Sequence, residues 1–255
     1  MGRFDSTAPY YARYREPYPP SFFLEVARRE GLLDAGGRPS GARLIDIGCG
    51  PGSLAIGFAP YARQCVGVDI ETEMLAAARV EAARAGVHVD LVQGRMEDLP
   101  RDIGCFQAVT VGRALHWFDR DEALAVLERI LDANGWIAIC GTRTASAAAQ
   151  GWVGRFHDVR RAWSSDPDES RYHINLDEWF RGSRFQKAQQ VEVTESHRVT
   201  ISDLIGRALS LSTTSPEVLG ERRPAFEDAM REALDPLSDG GAFDEQVTAI
   251  ATVFR

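Results

Sequence analysis

The chain has 255 residues and a formal net charge of −8, with 44% hydrophobic and 26% charged residues. These values are those of an ordinary globular protein. No apolar run reaches the roughly 20 residues that a membrane-spanning helix needs, and an acidic surface disfavours nucleic acid because it repels phosphate backbones. The segment 1–19 lacks an apolar core, so it is not typical of a secretory signal.

The cysteines and histidines are spread along the chain. No two cysteines form a CxxC pair, and each lies in or beside an apolar run, which favours small, buried, reduced thiols over a metal site. We therefore predict no bound metal, a cytoplasmic location and no membrane partner. The cysteines are Cys49, Cys65, Cys105 and Cys140.

Strand-length apolar runs alternate with helical segments over the first two-thirds of the chain. Pro51 marks a helix start, and the segment 72–85 is rich in helix formers and stops at Gly86. Asp119 and Glu122 are spaced like a capping box before another helix. Such alternation predicts a parallel sheet covered by helices. The apolar runs are 42–47, 64–70, 87–93, 106–111 and 136–141.

The pattern changes after residue 141. The segment 151–182 carries aromatic residues at helical spacing, and 201–235 is typical of two helices. Two further runs, 185–193 and 246–254, alternate apolar and polar residues and indicate strands nearer the sheet edge. The aromatic residues could line an apolar substrate pocket or form a small core of their own. They are Trp152, Phe156, Trp163 and Trp179.

We predict one α/β domain over residues 1–255. Its expected architecture is a doubly wound, Rossmann-like, mostly parallel seven-stranded sheet with helices on both faces and a helical cap. The predicted core is about 36–141, 183–199 and 240–255, and the predicted cap is 1–35, 145–182 and 200–238.

A glycine-rich turn follows the first apolar run. The strand enters a GxGxG sequence at 48–52 and an apolar helix follows, which is the context in which such a turn binds ligands. A dinucleotide or S-adenosylmethionine could use this turn. Asp69 at the end of the next strand supports the dinucleotide, because it could bind ribose hydroxyls. Asp46 favours S-adenosylmethionine, because a carboxylate repels a pyrophosphate and attracts an ammonium and a sulfonium.

At this point the chain resembles the class I S-adenosylmethionine-dependent methyltransferases, in particular a type 11-like branch that acts on small molecules. The similarity extends over residues 4–141. It is carried by DIGCGPG (46–52), VGVDIETEML (66–75), LVQGRMEDLP (91–100) and FQAVTVGRALHWFD (106–119).

The resemblance implies roles for individual residues. The methionine end of the cofactor should lie against Asp46 and the turn, the ribose on Asp69, and the adenine against Ile70. Many relatives have an aspartate where this chain has Arg95, and arginine cannot accept the bond from the adenine amino group. Glu97 or a carbonyl would then have to accept it. The implied cofactor-binding residues are Asp46, Gly48, Cys49, Gly50, Asp69, Ile70, Met74, Arg95, Met96, Glu97, Gly112 and Arg113.

Methyl transfer is a displacement at an activated carbon, so alignment matters more than a general base. His116 falls where the reaction should occur and could act as a base, or it could anchor its loop. Tyr11 and Tyr14 share a helix face and could close over the cofactor, or they could pack within the cap.

The resemblance therefore predicts methyl transfer from S-adenosylmethionine to an O, N or C atom of a small organic acceptor, with S-adenosylhomocysteine as product and a role in secondary metabolism. The alternatives are a non-methylating cyclase or scaffold with the same fold and, less favoured, an NAD(P)-binding oxidoreductase. We expect a small-molecule acceptor, no nucleic-acid partner, and a monomer or homodimer.

Overall fold

The computed structural model describes residues 7–145, 151–168 and 174–255. Its strands form one seven-stranded sheet in the order β3-β2-β1-β4-β5-β7-β6, and the pairs β1–β2, β2–β3, β1–β4 and β4–β5 are parallel. The predicted α/β fold with a mostly parallel seven-stranded sheet is confirmed. The strands are β1 (Arg43–Ile47), β2 (Gln64–Asp69), β3 (Asp90–Gln93), β4 (Phe106–Gly112), β5 (Leu131–Thr144), β6 (Lys187–Thr200) and β7 (Ala242–Phe254).

The helices connect these strands and fill the C-terminal part of the chain. Helix α4 has the predicted bounds, whereas α3 begins two residues after Pro51. The helices are α1 (Ala8–Tyr14), α2 (Pro20–Arg29), α3 (Ser53–Phe58), α4 (Thr72–Ala85), α5 (Arg120–Ile130), α6 (Gly151–Trp163), α7 (Leu176–Trp179), α8 (Ile201–Leu209), α9 (Pro216–Leu219) and α10 (Arg223–Leu234).

The strands bury both of their faces, because successive side chains point to opposite sides of a sheet. Leu44 of β1 packs in a cluster with Phe22 of α2 and Phe58 of α3. Its neighbour Ile45 packs in a second cluster with Leu127 of α5. Helices therefore cover both faces of the parallel strands, as predicted.

The chain divides into two compact units. Among the described residues, the sheet unit comprises 18–141, 174–193 and 249–255, and the helical unit comprises 7–17, 142–145, 151–168 and 194–248. Strands β5, β6 and β7 each contribute residues to both units.

This division differs from the predicted core and cap. Helix α2, predicted in the cap, belongs to the sheet unit, because the ring of Phe23 occupies the space where Gly57 of α3 lacks a side chain. Phe23 also packs edge-to-face on Phe58, at a centroid distance of 5.0 Å. Trp179 likewise lies in the core of the sheet unit, whereas 194–199 and 240–248 belong to the helical unit.

The helical unit has a hydrophobic core of its own. Trp152 and Phe156 are buried in it, and Trp163 packs edge-to-face on the buried ring of Phe226 at a centroid distance of 5.9 Å. Trp152 stacks on Phe243 of β7 at 4.7 Å. Of the two interpretations that the sequence left open for these aromatic residues, the structure supports core packing.

Helix α5 begins where the sequence predicts. The side chain of Asp119 accepts hydrogen bonds from the backbone N–H groups of Asp121 (3.1 Å) and Glu122 (3.0 Å). These N–H groups have no partner within the helix, so the carboxylate satisfies them and interacts favourably with the positive end of the helix dipole.

We expect Asp119→Ala to lower the free energy of unfolding by about 1 kcal/mol, because the variant leaves these N–H groups without their acceptor. Urea denaturation measures this loss. Asp102→Ala, an exposed aspartate outside any helix, is the matched control and should change stability by less than about 0.5 kcal/mol. Equal stability of the two variants would contradict the assigned capping role.

Two further observations concern sites that the described residues do not form. No helix among them is long and apolar enough to cross a membrane. No group of three or more histidine, cysteine or acidic side chains among them is placed to hold a metal ion. Cys49, Cys65 and Cys140 are buried as predicted, whereas Cys105 is exposed because it lies in the segment before β4.

Candidate cofactor site

Residues singled out in the first, second and fourth motifs lie at the carboxyl ends of the parallel strands. Strand β1 lies between β2 and β4, so the strand order reverses at this point of the sheet. A crevice forms outside the strand ends at such a reversal, and it is where ligands of open α/β sheets bind. Asp46 and Asp69 lie near the ends of β1 and β2, and Gly112 ends β4.

The glycine turn is held against β2 by its backbone. The N–H groups of Gly48 and Cys49 both donate to the carbonyl of Val68, at 2.8 and 2.9 Å. Gly48 has a φ of 68°, and a Cβ there would lie 2.5 Å from the Cβ of Ala114. Any side chain would therefore displace the loop after β4 from the turn.

Gly50 presents bare backbone to open space. Its φ is 54°, and a Cβ would meet no atom within 4 Å. A ligand can therefore approach the main chain closely at this residue. This open backbone beside two carboxylates fits a cofactor that carries positive charge and ribose hydroxyls.

Asp69 is oriented by the backbone on either side of it. Its Oδ2 accepts from the N–H of Gly50 at 2.7 Å, and its Oδ1 accepts from the N–H of Glu71 at 2.9 Å. Each carboxylate oxygen can accept a second bond, which leaves room for two ribose hydroxyls. Burial raises the pKa of Asp69, against the lowering effect of these hydrogen bonds.

Asp46 lies behind the turn and is 1% exposed. Its Oδ1 accepts from the Thr110 hydroxyl at 2.8 Å, and its Oδ2 accepts from the N–H of Ala55 at 3.2 Å. The carboxylate thereby joins β1 to β4 and to the first turn of α3. Burial raises its pKa to about 7, and the nearby charge of Asp69 adds to the rise. That the charge of Asp46 attracts the ammonium group of the cofactor stays a prediction.

This raised pKa predicts a pH effect on stability. Folded Asp46 keeps its proton up to about pH 7, whereas the carboxyl group in the unfolded chain loses it near its ordinary pKa of 3.8. The folded state therefore binds more protons between these values, and the stability that Asp46 contributes falls as the pH rises through them.

We expect the stability advantage of the wild type over Asp46→Asn to be larger at pH 5 than at pH 8. Because the amide does not titrate, the variant lacks this pH-dependent contribution. Urea denaturation of both proteins at the two pH values measures the difference. An advantage that is unchanged, or larger at pH 8, would contradict the burial-induced shift.

The residues implied to border the adenine differ in their access to solvent. Ile70 is 56% exposed beside Asp69, as an apolar surface for a planar ring requires. Met74 and Met96 are only 4% and 3% exposed, so their side chains belong to the protein interior, and any contact from them would use the main chain. Arg95 forms an ion pair with Glu97, with Nε and Oε2 3.2 Å apart.

The loop after β4 closes one side of the turn. A Cβ on Gly112 would lie 2.7 Å from Cδ1 of Leu54. Arg113 has a positive φ of 56°, and its guanidinium carbon lies 5.2 Å from the centre of the Tyr18 ring. His116 lies in a single 3₁₀ turn (Leu115–Trp117), with its ring 4.7 Å from that of Trp117.

Tyr11 and Tyr14 belong to the helical unit. The ring of Tyr14 covers Gly206 of α8, where a Cβ would come within 2.5 Å of the ring. The guanidinium carbon of Arg15 lies 4.7 Å from the centre of the Tyr11 ring. Both tyrosines therefore have packing contacts in their own unit, and a place beside the cofactor stays a prediction for them.

The sequence did not single out Thr110 or Gln93. Thr110 is a fully buried hydroxyl in the apolar strand β4, and it bonds Asp46. A polar residue between two buried valines, Val109 and Val111, was the available signal. Gln93 donates from Nε2 to the carbonyl of Ile70 at 3.2 Å and to the hydroxyl of Thr72 at 2.8 Å, which braces the loop after β2.

Comparisons with known proteins agree with this geometry. Residues 45–139 match the model of a methyltransferase domain family. An uncharacterized methyltransferase of Bacillus subtilis is 38% identical over 95 residues, which is 36% of this chain and 38% of that protein. A ubiquinone biosynthesis O-methyltransferase of Xanthomonas axonopodis is 31% identical over 127 residues, 49% of this chain and 48% of that protein. The chain thus spans less than half the length of these curated relatives.

The fold is also shared with a solved structure. A methyltransferase of Geobacter sulfurreducens in complex with S-adenosylhomocysteine superimposes with a TM-score of 0.58, at 14% identity, over 100% of this chain and 98% of that one. At this identity the likeness concerns the fold. The family model covers the strands and turns that form the crevice, from Ile45 to Ile139. The comparisons therefore identify a methyltransferase domain over residues 45–139 of this chain.

Proposed function

We propose that this protein transfers a methyl group from S-adenosylmethionine to a small organic acceptor. Three groups at the glycine turn carry the proposal. Gly50 presents bare backbone, Asp69 offers a carboxylate that can accept hydrogen bonds from ribose hydroxyls, and Ile70 presents an exposed apolar side chain. These groups suit the sugar and the adenine of a nucleoside cofactor. The carboxyl group of Asp46, which gains its charge as the pH rises through about 7, supplies the charge preference.

Asp46 separates this proposal from an NAD(P)-dependent oxidoreductase. A dinucleotide places its pyrophosphate at the N-terminus of the helix after the turn. In this chain a carboxyl group bonds the N–H of Ala55 in that first helical turn. A negative charge at this place disfavours a dianionic pyrophosphate and favours a cation. Asp69 does not separate the two cofactors, because an acid at the end of the second strand can bind the ribose of either one.

When bound, the cofactor supplies a methyl group already activated by a sulfonium. The protein then has to hold the acceptor in line, exclude water and, where the acceptor loses a proton, take that proton up. Among the residues of the sheet unit, His116 lies in the loop that contacts the Gly48 turn, and it is our candidate for the proton acceptor. For Tyr11 and Tyr14, closing over the cofactor stays a prediction.

Calorimetric titration with S-adenosylmethionine, S-adenosylhomocysteine and NAD⁺ tests the cofactor. We expect dissociation constants of about 1–100 μM for the first two ligands and no binding of NAD⁺. A folded protein that binds neither sulfur ligand would refute the proposal.

The transfer itself requires a second experiment. Incubating the protein with methyl-labelled S-adenosylmethionine and fractionated small-molecule extracts should produce a labelled small molecule. The proposal also includes a place in secondary metabolism, a cytoplasmic location and a monomeric or homodimeric state. The labelled product would identify the acceptor atom and the metabolic class of the acceptor. A sizing experiment would give the oligomeric state. Cofactor binding without any labelled product would favour the cyclase or scaffold alternative.

A further inference from the structure

The cofactor crevice holds two carboxyl groups beside one glycine turn. Asp69 ends β2 and accepts from the N–H of Gly50 in the turn at 2.7 Å, and Asp46 lies behind the same turn in β1. Burial raises the pKa of Asp46, and the two groups are close enough for the charge of Asp69 to raise it further. Ionisation of both would therefore concentrate negative charge at this point of the sheet.

The hydrogen-bond partners of Asp46 are uncharged. The Thr110 hydroxyl donates to Oδ1 at 2.8 Å, and the N–H of Ala55 donates to Oδ2 at 3.2 Å. Within the described ranges, no arginine, lysine or histidine forms an ion pair with Asp46 or Asp69. An ionised carboxylate that has neither water nor a cation beside it is costly, so such a group keeps its proton instead.

The other titratable groups packed around Asp46 are thiols, which supply no positive charge. Burial raises the pKa of each of them, so they stay neutral at any pH at which Asp46 titrates. They are Cys49 in the turn, Cys65 of β2 and Cys140 of β5.

The crevice therefore lacks a positive charge that the cofactor carries. S-adenosylmethionine and S-adenosylhomocysteine both have an ammonium group. Gly50 leaves open space beside the two carboxyl groups, so a cation that binds there enters the region that has none. In a poorly hydrated interior, a cation favours the ionised form of a nearby carboxyl group even without direct contact.

We propose that the carboxyl group of Asp46 holds a proton in the free protein and releases it when a cofactor with an ammonium group binds. This inference rests on the proposed function, because it needs that ammonium in the crevice. The O–H bond of the carboxyl group breaks, its electron pair stays on the carboxylate, and the proton passes to the solvent. Binding and deprotonation favour each other, so the affinity for the cofactor rises with pH.

The pH range follows from burial, which raises the pKa of Asp46 to about 7. Below this pH the cofactor has to displace a proton, whereas above it the negative charge is already present. The apparent dissociation constant is inversely proportional to the fraction of protein in the ionised form. We therefore expect S-adenosylhomocysteine to bind about tenfold more tightly at pH 8 than at pH 6.

Calorimetric titration of the full chain in buffers of low and high ionisation enthalpy counts the protons that binding releases. With S-adenosylhomocysteine we expect most of one proton at pH 6 and little release at pH 8. Methylthioadenosine has the same adenine, ribose and thioether but no ammonium, so it is the control ligand and should release far less at pH 6. Because its ribose can still bind Asp69, it also separates the titration of Asp69 from that of Asp46.

Variants assign the proton to one residue. Asp46→Asn should bind S-adenosylhomocysteine without proton release, and its affinity should change less than about threefold between pH 6 and pH 8. The Thr110 hydroxyl can accept from the new amide as well as donate to it, so the site can adapt. Asp102→Asn, the same change at an exposed aspartate outside the crevice, should behave as the wild type does.

A second variant keeps Asp46 itself. Thr110→Val preserves the shape of the buried side chain but removes one donor to the carboxylate, so the ionised form is less stable. The pH at which proton release is half-maximal should then rise by about one unit. A purely structural role of Asp46 would not move this midpoint.

Four results would overturn the inference and leave the proposed function standing. They are binding of S-adenosylhomocysteine at pH 6 without proton release, release that persists in Asp46→Asn, equal release with methylthioadenosine, and an unshifted midpoint in Thr110→Val. Failure of the folded protein to bind S-adenosylhomocysteine at either pH would overturn both the inference and the proposed function.

Discussion

Glu245→Ala should lower the free energy of unfolding by about 3–5 kcal/mol, the largest effect that we expect from a single substitution in this protein. Glu245 of β7 is fully buried in the helical unit, and it forms a two-bond ion pair with Arg207 of α8. The guanidinium nitrogens lie 2.6 and 2.8 Å from its two oxygens. Alanine would leave the buried Arg207 charge without this partner.

Other groups converge on the same pair. Thr144 donates its hydroxyl to Oε1 of Glu245 at 2.7 Å, and Nε2 of His197 lies 3.0 Å from Oε2. Arg207 also donates from Nε to the carbonyl of Tyr14 at 3.2 Å and lies 3.5 Å from Glu16. The pair therefore joins α8, β7, the segment after α1 and the ends of β5 and β6 that belong to the helical unit.

A double-mutant cycle measures the coupling. Glu245→Ala and Arg207→Ala should each be strongly destabilising, whereas the double variant should lose less than the sum, because no buried charge is left unpaired in it. Glu232→Ala, an exposed glutamate of α10, is the matched control and should change stability by less than about 0.5 kcal/mol. Additive losses in urea denaturation would show that the pair is not coupled.

Asp69→Ala should weaken cofactor binding by about 1.5–3 kcal/mol, or roughly 10- to 150-fold, because two charge-assisted hydrogen bonds to the ribose are lost. The structure adds a second reason. The N–H groups of Gly50 and Glu71 also lose their acceptor, so the glycine turn is less well held in the free protein.

Calorimetry with S-adenosylhomocysteine gives the affinity of this variant. Glu128→Ala, an exposed acid of α5, is the control for the loss of one negative charge and should bind as the wild type does. Circular dichroism should show that Asp69→Ala remains folded at the temperature of the titration, since Asp69 lies at a strand end facing the crevice. Wild-type affinity in a folded Asp69→Ala protein would place the ribose elsewhere.

The local elements of the crevice could be predicted from the sequence alone. Alternating apolar runs and helix formers predicted all seven strands, with 185–193 at the edge of the sheet, where β6 lies. Helix α4 has the predicted bounds, and Asp119 caps α5. These features depend on residues that are close in the chain, so periodicity and capping preferences report them directly.

The contacts that distinguish this protein required the tertiary structure. Asp46 meets Thr110, which is 64 residues away, because β1 and β4 are neighbours in the sheet. The side chain of Met96, which the resemblance had suggested at the adenine edge, packs instead in the core of the sheet unit. A pattern of apolar and polar residues shows that a side chain is buried, but the order and register of the strands decide which partner it meets.

The division into units was also decided by packing. The composition of helix α2 would suit either unit. The helix belongs to the sheet unit because the ring of Phe23 packs where Gly57 lacks a side chain. Arg207 and Glu245 are ordinary charged residues in the sequence, 38 positions apart, and only the fold buries them together. The sequence by itself determined the strands, the turn and the resemblance to a methyltransferase domain. Long-range packing decided which charges are buried, because burial depends on neighbours that are distant in the chain.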